Sequence, residues 1–190
     1  SVSCNSTEYG NVGYNAILVH TSLSATALSE TTINGFVFKY ANGLWTIVDY
    51  TGDKEEIALG TMSGNGHYVE YYGIARYAFE NNSTIRKLTI GASVSHIRSY
   101  ALVGAYNLSE IRFTEANLSI VTHTFSDCSS VASLVISNAL NKIEKDAFPN
   151  AYPDIYYVGK SSEWEANKAK YAVNYNSVYY YDVCGHDYGE

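Results

Sequence analysis

Hydrophobic positions in the middle of the chain recur at a fixed interval of 23 residues. The clearest column contains large apolar side chains, at Phe79, Leu102, Phe125 and Phe148. A small residue precedes each of them, at Ala78, Ala101, Thr124 and Ala147. Three further apolar columns keep the interval: Ile85, Leu108 and Val131; Leu88, Ile111 and Leu134; and Ile90, Phe113 and Ile136. Self-similarity at a period of roughly 20–50 residues is the signature of a repeat solenoid, in which each unit buries its apolar side only by stacking on its neighbours.

Each repeat unit is predicted to form one coil that contains a short strand. The first clear unit begins at Ile74 and reaches the triplet Leu88-Thr89-Ile90, whose inward-outward-inward alternation is what a strand requires. The next units open at Ile97, Val121 and Ile143, and the fourth runs two residues short before residues 155–157. Strands of successive coils would form a narrow parallel sheet with a spacing of about 4.8 Å, so that each apolar column becomes a ladder inside the protein.

The outward side of these predicted strands forms a surface that we call the strand face. If Leu88 and Ile90 point inward, the residues that alternate with them point outward. In four successive coils the outward residues are Lys87 and Thr89, Glu110 and Arg112, Ser133 and Val135, and Asp154 and Tyr156. The pattern predicts a mixed, weakly charged surface with one aromatic residue at its C-terminal end. Arg112 and Tyr156 are the expected binding contacts, because Arg and Tyr commonly anchor interfaces. The alternative is a face that is simply solvated.

Both ends of a solenoid need a cap, since an uncovered end presents unpaired strand groups and bare apolar core. Residues 162–169 are predicted to form a short helix with Ser161 or Ser162 as its N-cap. Trp164 would cover the last coil, and residues 178–181 would add a final strand. The alternative for Trp164 is a platform for a ligand.

The two ends of the chain lack the repeat. Residues 1–34 are rich in Ser, Thr and Asn, and their one apolar run, at 17–19, predicts a strand or a helix start within a leader or cap of uncertain structure. The hydrophilic tail at 183–190 is expected to be the truncation point of a larger protein. Cys4 faintly resembles the acylated cysteine of a bacterial lipoprotein, although the Leu that opens that motif is missing. The alternative is a cloning remnant.

Composition and charge argue against several classes of protein. The chain carries 12 Lys+Arg against 19 Asp+Glu and has no basic cluster, which argues against binding to nucleic acid or to an anionic membrane surface. No apolar run approaches the roughly 18 residues that insert across a bilayer. Three cysteines do not make a disulfide framework. Cys128 shares a column with Asn82, Ala105 and Ala151 and is expected to be a buried free thiol.

The sequence contains no recognisable catalytic or metal-binding constellation. The five histidines are scattered over different phases of the repeat, whereas nucleophilic hydrolysis needs Ser or Cys, His and an acid in one cleft. His123 shares a column with Tyr77, Tyr100 and Asp146 and is expected on the outer side of its coil. The segment Gly64-Asn65-Gly66-His67 lacks the Lys-Ser/Thr of a phosphate loop and is interpreted as a turn. The chain is therefore predicted to be no enzyme, to use no cofactor and to bind no metal.

The repeat follows the pattern I-x₄-F-x₅-[ILV]-x₂-[LI]-x-[IF], carried first by Ile74, Phe79, Ile85, Leu88 and Ile90. This pattern resembles the BspA-type leucine-rich repeats of bacterial and protozoan surface proteins. The flanks agree with the resemblance. Segments within residues 35–52 look like the part that often precedes such arrays, and segments within 155–181 look like the part that often closes them.

The resemblance implies a leucine-rich-repeat right-handed superhelix of mainly short parallel β-strands, with small helical and turn segments and terminal caps. The repeat domain would cover residues 35–182, with regular repeats at 73–158 and a C-terminal cap at 159–182. This sequence departs from the family pattern in the stretch 57–74, which is longer than a repeat, and at Leu102, which replaces the usual Phe. Neither departure changes the expected fold.

The resemblance also implies a non-catalytic, extracellular or cell-surface module, acting as a monomer without membrane insertion. Its partner would be a protein, from a host or from the extracellular matrix, and its role adhesion. The alternative is a structural spacer or a glycan-binding accessory module of a larger secreted protein. Glycan binding would draw on Tyr71-Tyr72 and on the three tyrosines at 179–181, although alternation within strands places at least half of each cluster in the core or cap.

Overall fold

The structure is a computed structural model, and it describes residues 30–181. The predictions for the apolar run at 17–19, for Cys4, Cys184, His20 and His186, and for the tail at 183–190 lie outside the described residues. The described part consists of short strands, one helix and one 3₁₀ turn. The strands are β1 Glu30–Ile33, β2 Phe36–Ala41, β3 Leu44–Tyr50, β4 Glu56–Leu59, β5 Met62–Gly64, β6 His67–Val69, β7 Tyr72–Ile74, β8 Lys87–Ile90, β9 Val94–Ile97, β10 Glu110–Phe113, β11 Ser119–Ile120, β12 Ser133–Ser137, β13 Lys142–Ile143, β14 Asp154–Val158 and β15 Val178–Tyr181. The helix α1 is Ser161–Asn167, and the 3₁₀ turn is Lys168–Lys170.

Parallel strands from successive coils form the strand face. Their order is β4-β8-β10-β12-β14-β15, so each coil contributes one strand. Leu88 pairs with Ile111, and Ile111 pairs with Leu134. The sequence column is therefore a physical ladder in the sheet, and the predicted repeat solenoid is confirmed.

A second stack of short strands forms the other wall of the solenoid, which we call the back face. β3, β7 and β9 are parallel neighbours, and β11 pairs with β13 further along. Ile74, Ile97, Ile120 and Ile143 stand 23 residues apart in these strands, and all four are buried. The third unit therefore opens at Ile120, and the prediction that it opens at Val121 is wrong. A shift of one residue in a strand exchanges the inward and outward sides.

The apolar columns fill one continuous core between the two walls. The rings of Phe125 and Phe148 are stacked, with centroids 4.5 Å apart and an interplanar angle of 6°. Leu102 is fully buried in the same column, so leucine replaces phenylalanine there without loss of the pattern. Thr124 of the small column is also buried, and its hydroxyl donates to the carbonyl of Val121 at 2.8 Å. Close packing along these columns makes each coil depend on its neighbours.

Each coil turns at a residue with left-handed backbone, immediately before the small column. Tyr77, Tyr100, His123 and Asp146 have φ angles of 66°, 62°, 62° and 61°. The N–H groups of the first three donate to the carbonyl of the equivalent residue in the next coil, at 3.2, 3.0 and 2.8 Å. Residues with a β-carbon adopt this conformation rarely, and these hydrogen bonds between coils help to stabilise it. His123 lies on the outer side as predicted, half-buried against the ring of Tyr100.

The N-terminal cap, residues 30–50, is an antiparallel unit next to the first coils. β1, β2 and β3 are joined by the turns Asn34-Gly35 and Asn42-Gly43, whose residues all have positive φ. Asn-Gly is the preferred pair for such two-residue hairpin turns. The predicted boundary between residues 34 and 35 therefore falls inside a hairpin, and Ile33, on the leader side of that boundary, is buried in the core.

The stretch 57–74 is longer than a repeat because it contains an additional hairpin. β5 and β6 pair antiparallel across the turn Asn65-Gly66, so the interpretation of this segment as a turn is confirmed. β4 already pairs in parallel with β8 before this hairpin. The parallel sheet thus begins at Glu56, upstream of the start of the regular repeats that was predicted at residue 73.

The helix of the C-terminal cap begins slightly earlier than expected. α1 starts at Ser161 with Lys160 as its N-cap residue, so the prediction of Ser161 or Ser162 as N-cap is wrong. Glu163 takes the role expected of a serine. Its carboxylate accepts a hydrogen bond from the backbone N–H of Lys160 at 2.9 Å, which satisfies a group that the helix itself cannot pair.

Trp164 and β15 close the last coil. Trp164 is 1% exposed, and its ring lies 5.4 Å from that of Tyr157 and 5.7 Å from that of Tyr171. It is therefore a core residue of the cap, as predicted, and the alternative of a ligand platform is wrong. β15 pairs in parallel with β14, which confirms the predicted final strand.

Candidate functional site

The eight predicted contact residues lie in two rows on the strand face. The first row is Lys87, Glu110, Ser133 and Asp154, and the second row is Thr89, Arg112, Val135 and Tyr156. Neighbouring strands of a sheet are about 4.8 Å apart, so consecutive side chains of a row can contact one another. The structure thus brings all eight positions together on one surface.

The N-terminal half of the strand face carries exposed ion pairs. Lys87 Nζ lies 2.8 Å from a carboxylate oxygen of Glu56, and Arg112 donates to Glu110 at 3.0 Å. The hydrogen bond to Glu56 raises the pKa of Lys87. Exposed pairs contribute little to stability, because water screens them and the long side chains lose freedom. Their main effect is to orient the side chains and to balance charge along the first row.

The C-terminal half of the strand face is aromatic. β15 places Tyr179 beside Tyr156, and the two rings are stacked with centroids 5.1 Å apart. Tyr181 is the next outward residue of β15, and its ring lies 6.0 Å from that of Tyr156. The prediction of a single aromatic residue at this end is therefore wrong. The signal was present in the sequence, because Tyr156 and Tyr179 are separated by the 23-residue interval of the repeat.

Val135 occupies an outward position but is buried. It is 4% exposed, in contrast to the half-buried or exposed side chains of the other predicted contact residues. Its neighbours in register are Arg112 on one side and Tyr156 on the other, and both carry longer side chains that cover it. As a contact residue Val135 is thus corrected: it supports these two side chains from below and offers little surface of its own.

We call Arg112, Val135, Tyr156, Tyr179 and Tyr181 the aromatic patch. The side chain of Arg112 is 45% exposed, and Tyr179 is 46% exposed. Burial raises the pKa of Tyr181, and the nearby positive charge of Arg112 opposes that shift. A planar cation beside stacked rings makes a shallow surface that is rigid, partly apolar and able to donate hydrogen bonds.

The other tyrosine clusters divide between surface and core, as alternation predicts. Tyr71 is exposed, whereas Tyr72 is fully buried and its hydroxyl donates to the carbonyl of Gly60 at 2.9 Å. Tyr180 packs against the core, between the outward residues Tyr179 and Tyr181. Neither run of consecutive tyrosines is therefore a continuous aromatic surface, and only the outward members at 179 and 181 join the aromatic patch.

Within residues 30–181, no group of three or more His, Cys, Asp or Glu side chains is arranged to hold a metal ion. Cys128 is buried, and its thiol donates to the carbonyl of Leu102 at 3.1 Å. Burial raises the pKa of Cys128 to about 12, so the thiol stays protonated and is a poor nucleophile. The predicted buried free thiol is confirmed. In the same part of the chain, no helix is long and apolar enough to cross a membrane.

Three solved structures are similar to this chain. A leucine-rich repeat protein from Bacteroides capillosus ATCC 29799 has a TM-score of 0.54 and 18% sequence identity, with 69% of this chain and 99% of that chain covered. A leucine rich cell surface protein from Faecalibacterium prausnitzii A2-165 has a TM-score of 0.55 and 19% identity, with 80% of this chain and 39% of that chain covered. The leucine-rich repeat protein of T. pallidum has a TM-score of 0.53 and 20% identity, with 70% and 66% covered. At these identities the similarity establishes a common fold.

The family follows from the repeats themselves. A family model described as a BspA type leucine rich repeat region of six copies matches residues 69–163, which is half of the 190-residue chain. No curated protein matches the sequence. The matched segment contains the strands β8, β10, β12 and β14, whose register reproduces the apolar columns. Repeat spacing, strand register and family model agree, and the chain belongs to the BspA-type leucine-rich repeat family.

Proposed function

We propose that the chain is a non-catalytic module of a secreted or cell-surface protein and that its strand face binds a protein partner in adhesion or host interaction. The observation that carries the proposal is the aromatic patch at the C-terminal end of that face. Solenoids commonly bind proteins through such extended surfaces, because each coil adds one row of side chains to a continuous face.

The aromatic patch has the composition of an interface hot spot. Tyrosine and arginine are the residues whose truncation most often weakens a protein–protein complex. Stacking at 5.1 Å already fixes the rings of Tyr156 and Tyr179, so they lose little conformational freedom when a partner binds. Arg112 adds directional donors beside the rings, and its carboxylate partner Glu110 keeps it oriented.

The first row of the strand face supplies a polar rim for the patch. Lys87, Glu110 and Asp154 alternate in charge along this row. Charges at a rim steer association and select partners of complementary pattern more than they add affinity. The proposed partner is therefore a folded protein or segment with an apolar centre and a mixed-charge border.

The comparisons support the proposed location. The Faecalibacterium prausnitzii relative is described as a cell surface protein, and its fold resembles that of this chain at a TM-score of 0.55. The match covers 39% of that relative, so there the repeat fold occupies part of a longer protein. A repeat module within a larger surface protein would present its strand face to other proteins.

The test is a binding screen of the purified chain against extracellular-matrix proteins, with variants run beside the wild type. Arg112→Ala and Tyr179→Ala should each weaken a bound partner by about 10-fold or more, since truncation of a hot-spot residue costs about 2 kcal/mol. Tyr106→Ala is the matched control. Tyr106 is 53% exposed but lies in a turn away from the strand face, so its removal should leave affinity unchanged.

Two results would contradict the proposal. A partner that binds the folded Arg112→Ala and Tyr179→Ala variants as tightly as the wild type must contact another surface. Absence of binding to every matrix protein in the screen would favour the structural spacer instead. Circular dichroism and the melting temperature of each variant separate a lost contact from a lost fold.

A further inference from the structure

The back face carries a polar cleft between the first coils, far from the residues of the strand face. Its volume is about 490 Å³, and it is lined by Thr46, Ala75, Arg76, His96, Arg98 and Ser99. These residues belong to β3 and β9 or directly follow β7 and β9. The cleft therefore crosses three neighbouring parallel strands, a distance of about 10 Å.

Small residues in the middle strand create the cleft. Thr46, Gly73 and His96 are neighbours in register on β3, β7 and β9. Gly73 has no side chain, and the ring of His96 lies across the space that one would occupy. Ala75 follows on the same coil and leaves room in front of Arg98. The floor of the cleft is thus low, while its walls are polar.

The two arginines of the cleft have no carboxylate partner. The chain contains only four arginines. Arg86 and Arg112 each lie close to a glutamate, at 3.3 Å and 3.0 Å. Among residues 30–181 no carboxylate lies within 4.0 Å of Arg76 or Arg98. Two like charges on neighbouring coils repel each other, and a bound anion would relieve that repulsion.

Aromatic rings fix the orientation of Arg76. Its guanidinium carbon lies 4.7 Å from the ring centre of Tyr77 and 4.5 Å from that of Tyr100. These cation–π contacts use the faces of the guanidinium group and leave its N–H edges available. The planar fork of donors matches a carboxylate or a sulfate, which it can hold through two parallel hydrogen bonds.

His96 adds a hydrogen-bond acceptor to the cleft. The hydroxyl of Ser95 donates to the carbonyl of Tyr72 at 3.0 Å, so its 3.1 Å contact with His96 assigns the proton to Nδ1 of the imidazole. Nε2 is then free to accept. Burial, and after it the charge of Arg98, lowers the pKa of His96, which favours the neutral ring. A simple anion has no proton to donate to this nitrogen, whereas a sugar hydroxyl has one.

We propose that this cleft binds an acidic saccharide, whose carboxylate or sulfate group pairs with Arg76 and Arg98 and whose hydroxyl groups bond to His96, Thr46 and Ser99. The volume suits one or two sugar rings, and the width of about 10 Å is too short for an extended peptide of more than a few residues. The exposed ring of Tyr77, which contacts Arg76, offers an apolar surface at the edge of the site. The site lies on the back face and is independent of the aromatic patch.

The experiment titrates the ¹⁵N-labelled chain with D-glucuronate, with D-glucose 6-sulfate and with the neutral sugar N-acetylglucosamine. Either acidic sugar should shift the amide resonances of the cleft residues, and the neutral sugar should not. Arg98→Gln should weaken this binding about 10-fold or more, because it removes a charge-assisted hydrogen bond. Arg86→Gln is the matched control: it also removes one exposed arginine, but one that lies outside the cleft and pairs with Glu55, so binding should be unchanged.

Three outcomes would overturn the proposal. Acetate or inorganic sulfate that binds as tightly as the corresponding sugar would show an anion site without sugar recognition. Hexaglutamate that binds more tightly than either acidic sugar would assign the cleft to acidic peptides. Absence of any shift at tens of millimolar saccharide, with the spectrum of a folded protein, would show that the cleft binds no saccharide. Arg98 is exposed, so its substitution should leave the fold intact.

Discussion

In the repeat coils, neighbouring strands such as β8, β10 and β12 are parallel and come from segments 23 residues apart. In the N-terminal cap, neighbouring strands are antiparallel and are joined by two-residue turns. The coils are held in place by ladders of similar apolar side chains, whereas the cap is aligned by the geometry of its Asn-Gly turns. One part of the core thus depends on side-chain volume and the other on backbone conformation.

This contrast predicts different sensitivities to mutation. A residue in an apolar ladder contacts the equivalent residues above and below, so its loss weakens the contacts of two neighbouring coils. A turn residue contacts little, but it sets the register of two whole strands. Substitutions that remove volume should therefore be most damaging in the coils, and substitutions that restrict φ should be damaging only in the cap.

The largest effect is expected from Phe125→Ala in the central coils. Phe125 is 1% exposed and stacks on Phe148 at 4.5 Å, so truncation leaves a cavity that rigid neighbours cannot fill. The free energy of unfolding should fall by about 3–5 kcal/mol. Urea denaturation followed by circular dichroism measures the change. A loss of less than about 1 kcal/mol would mean that the column is not a packed ladder.

A smaller effect is expected from Gly35→Ala in the cap. Gly35 has a φ of +85°, and a β-carbon there would lie 2.8 Å from the Cα of Gly52. Strain and backbone displacement together should cost about 2–3 kcal/mol of the unfolding free energy. The same urea titration reports it.

Gly43→Ala separates strain from steric overlap. Gly43 has a similar φ, +81°, but an added β-carbon would meet nothing within 4 Å. The expected loss is about 1 kcal/mol, the cost of the left-handed conformation alone. Equal losses for Gly35→Ala and Gly43→Ala would show that the close approach of Gly52 is unimportant for the cap.

The coils could be predicted from the sequence because each column is written several times. Six neighbouring positions, repeated at one interval, identify the buried residues of β8, β10 and β12 without any knowledge of the caps. The N-terminal cap has no repeat to average over, and its Asn-Gly turns at 34–35 and 42–43 were not recognised as hairpins. The shift from Ile120 to Val121 has the same origin, because two adjacent apolar residues compete for one inward position.

The two candidate sites were accessible to different degrees. Strand alternation identified the rows that contain Arg112 and Tyr156, and the same interval would have added Tyr179 to them. The cleft on the back face could not be found in this way. It requires a cap residue, Thr46, to lie beside a repeat residue, His96, and it requires the absence of carboxylates near two arginines. Both depend on tertiary contacts that the pattern does not encode.

The smallest effect is expected on the strand face, where side chains are outward and coils do not depend on them. Thr89→Ala should change the free energy of unfolding by less than about 0.5 kcal/mol, because Thr89 is half-buried and its row neighbours Ala58 and Arg112 pair through the backbone. Val135→Ala tests the same row at its buried point, where the loss of two methyl groups that are 4% exposed should cost about 1–2 kcal/mol. If Thr89→Ala were as damaging as Val135→Ala, the strand face would be part of the core, and its side chains would not be free to bind a partner.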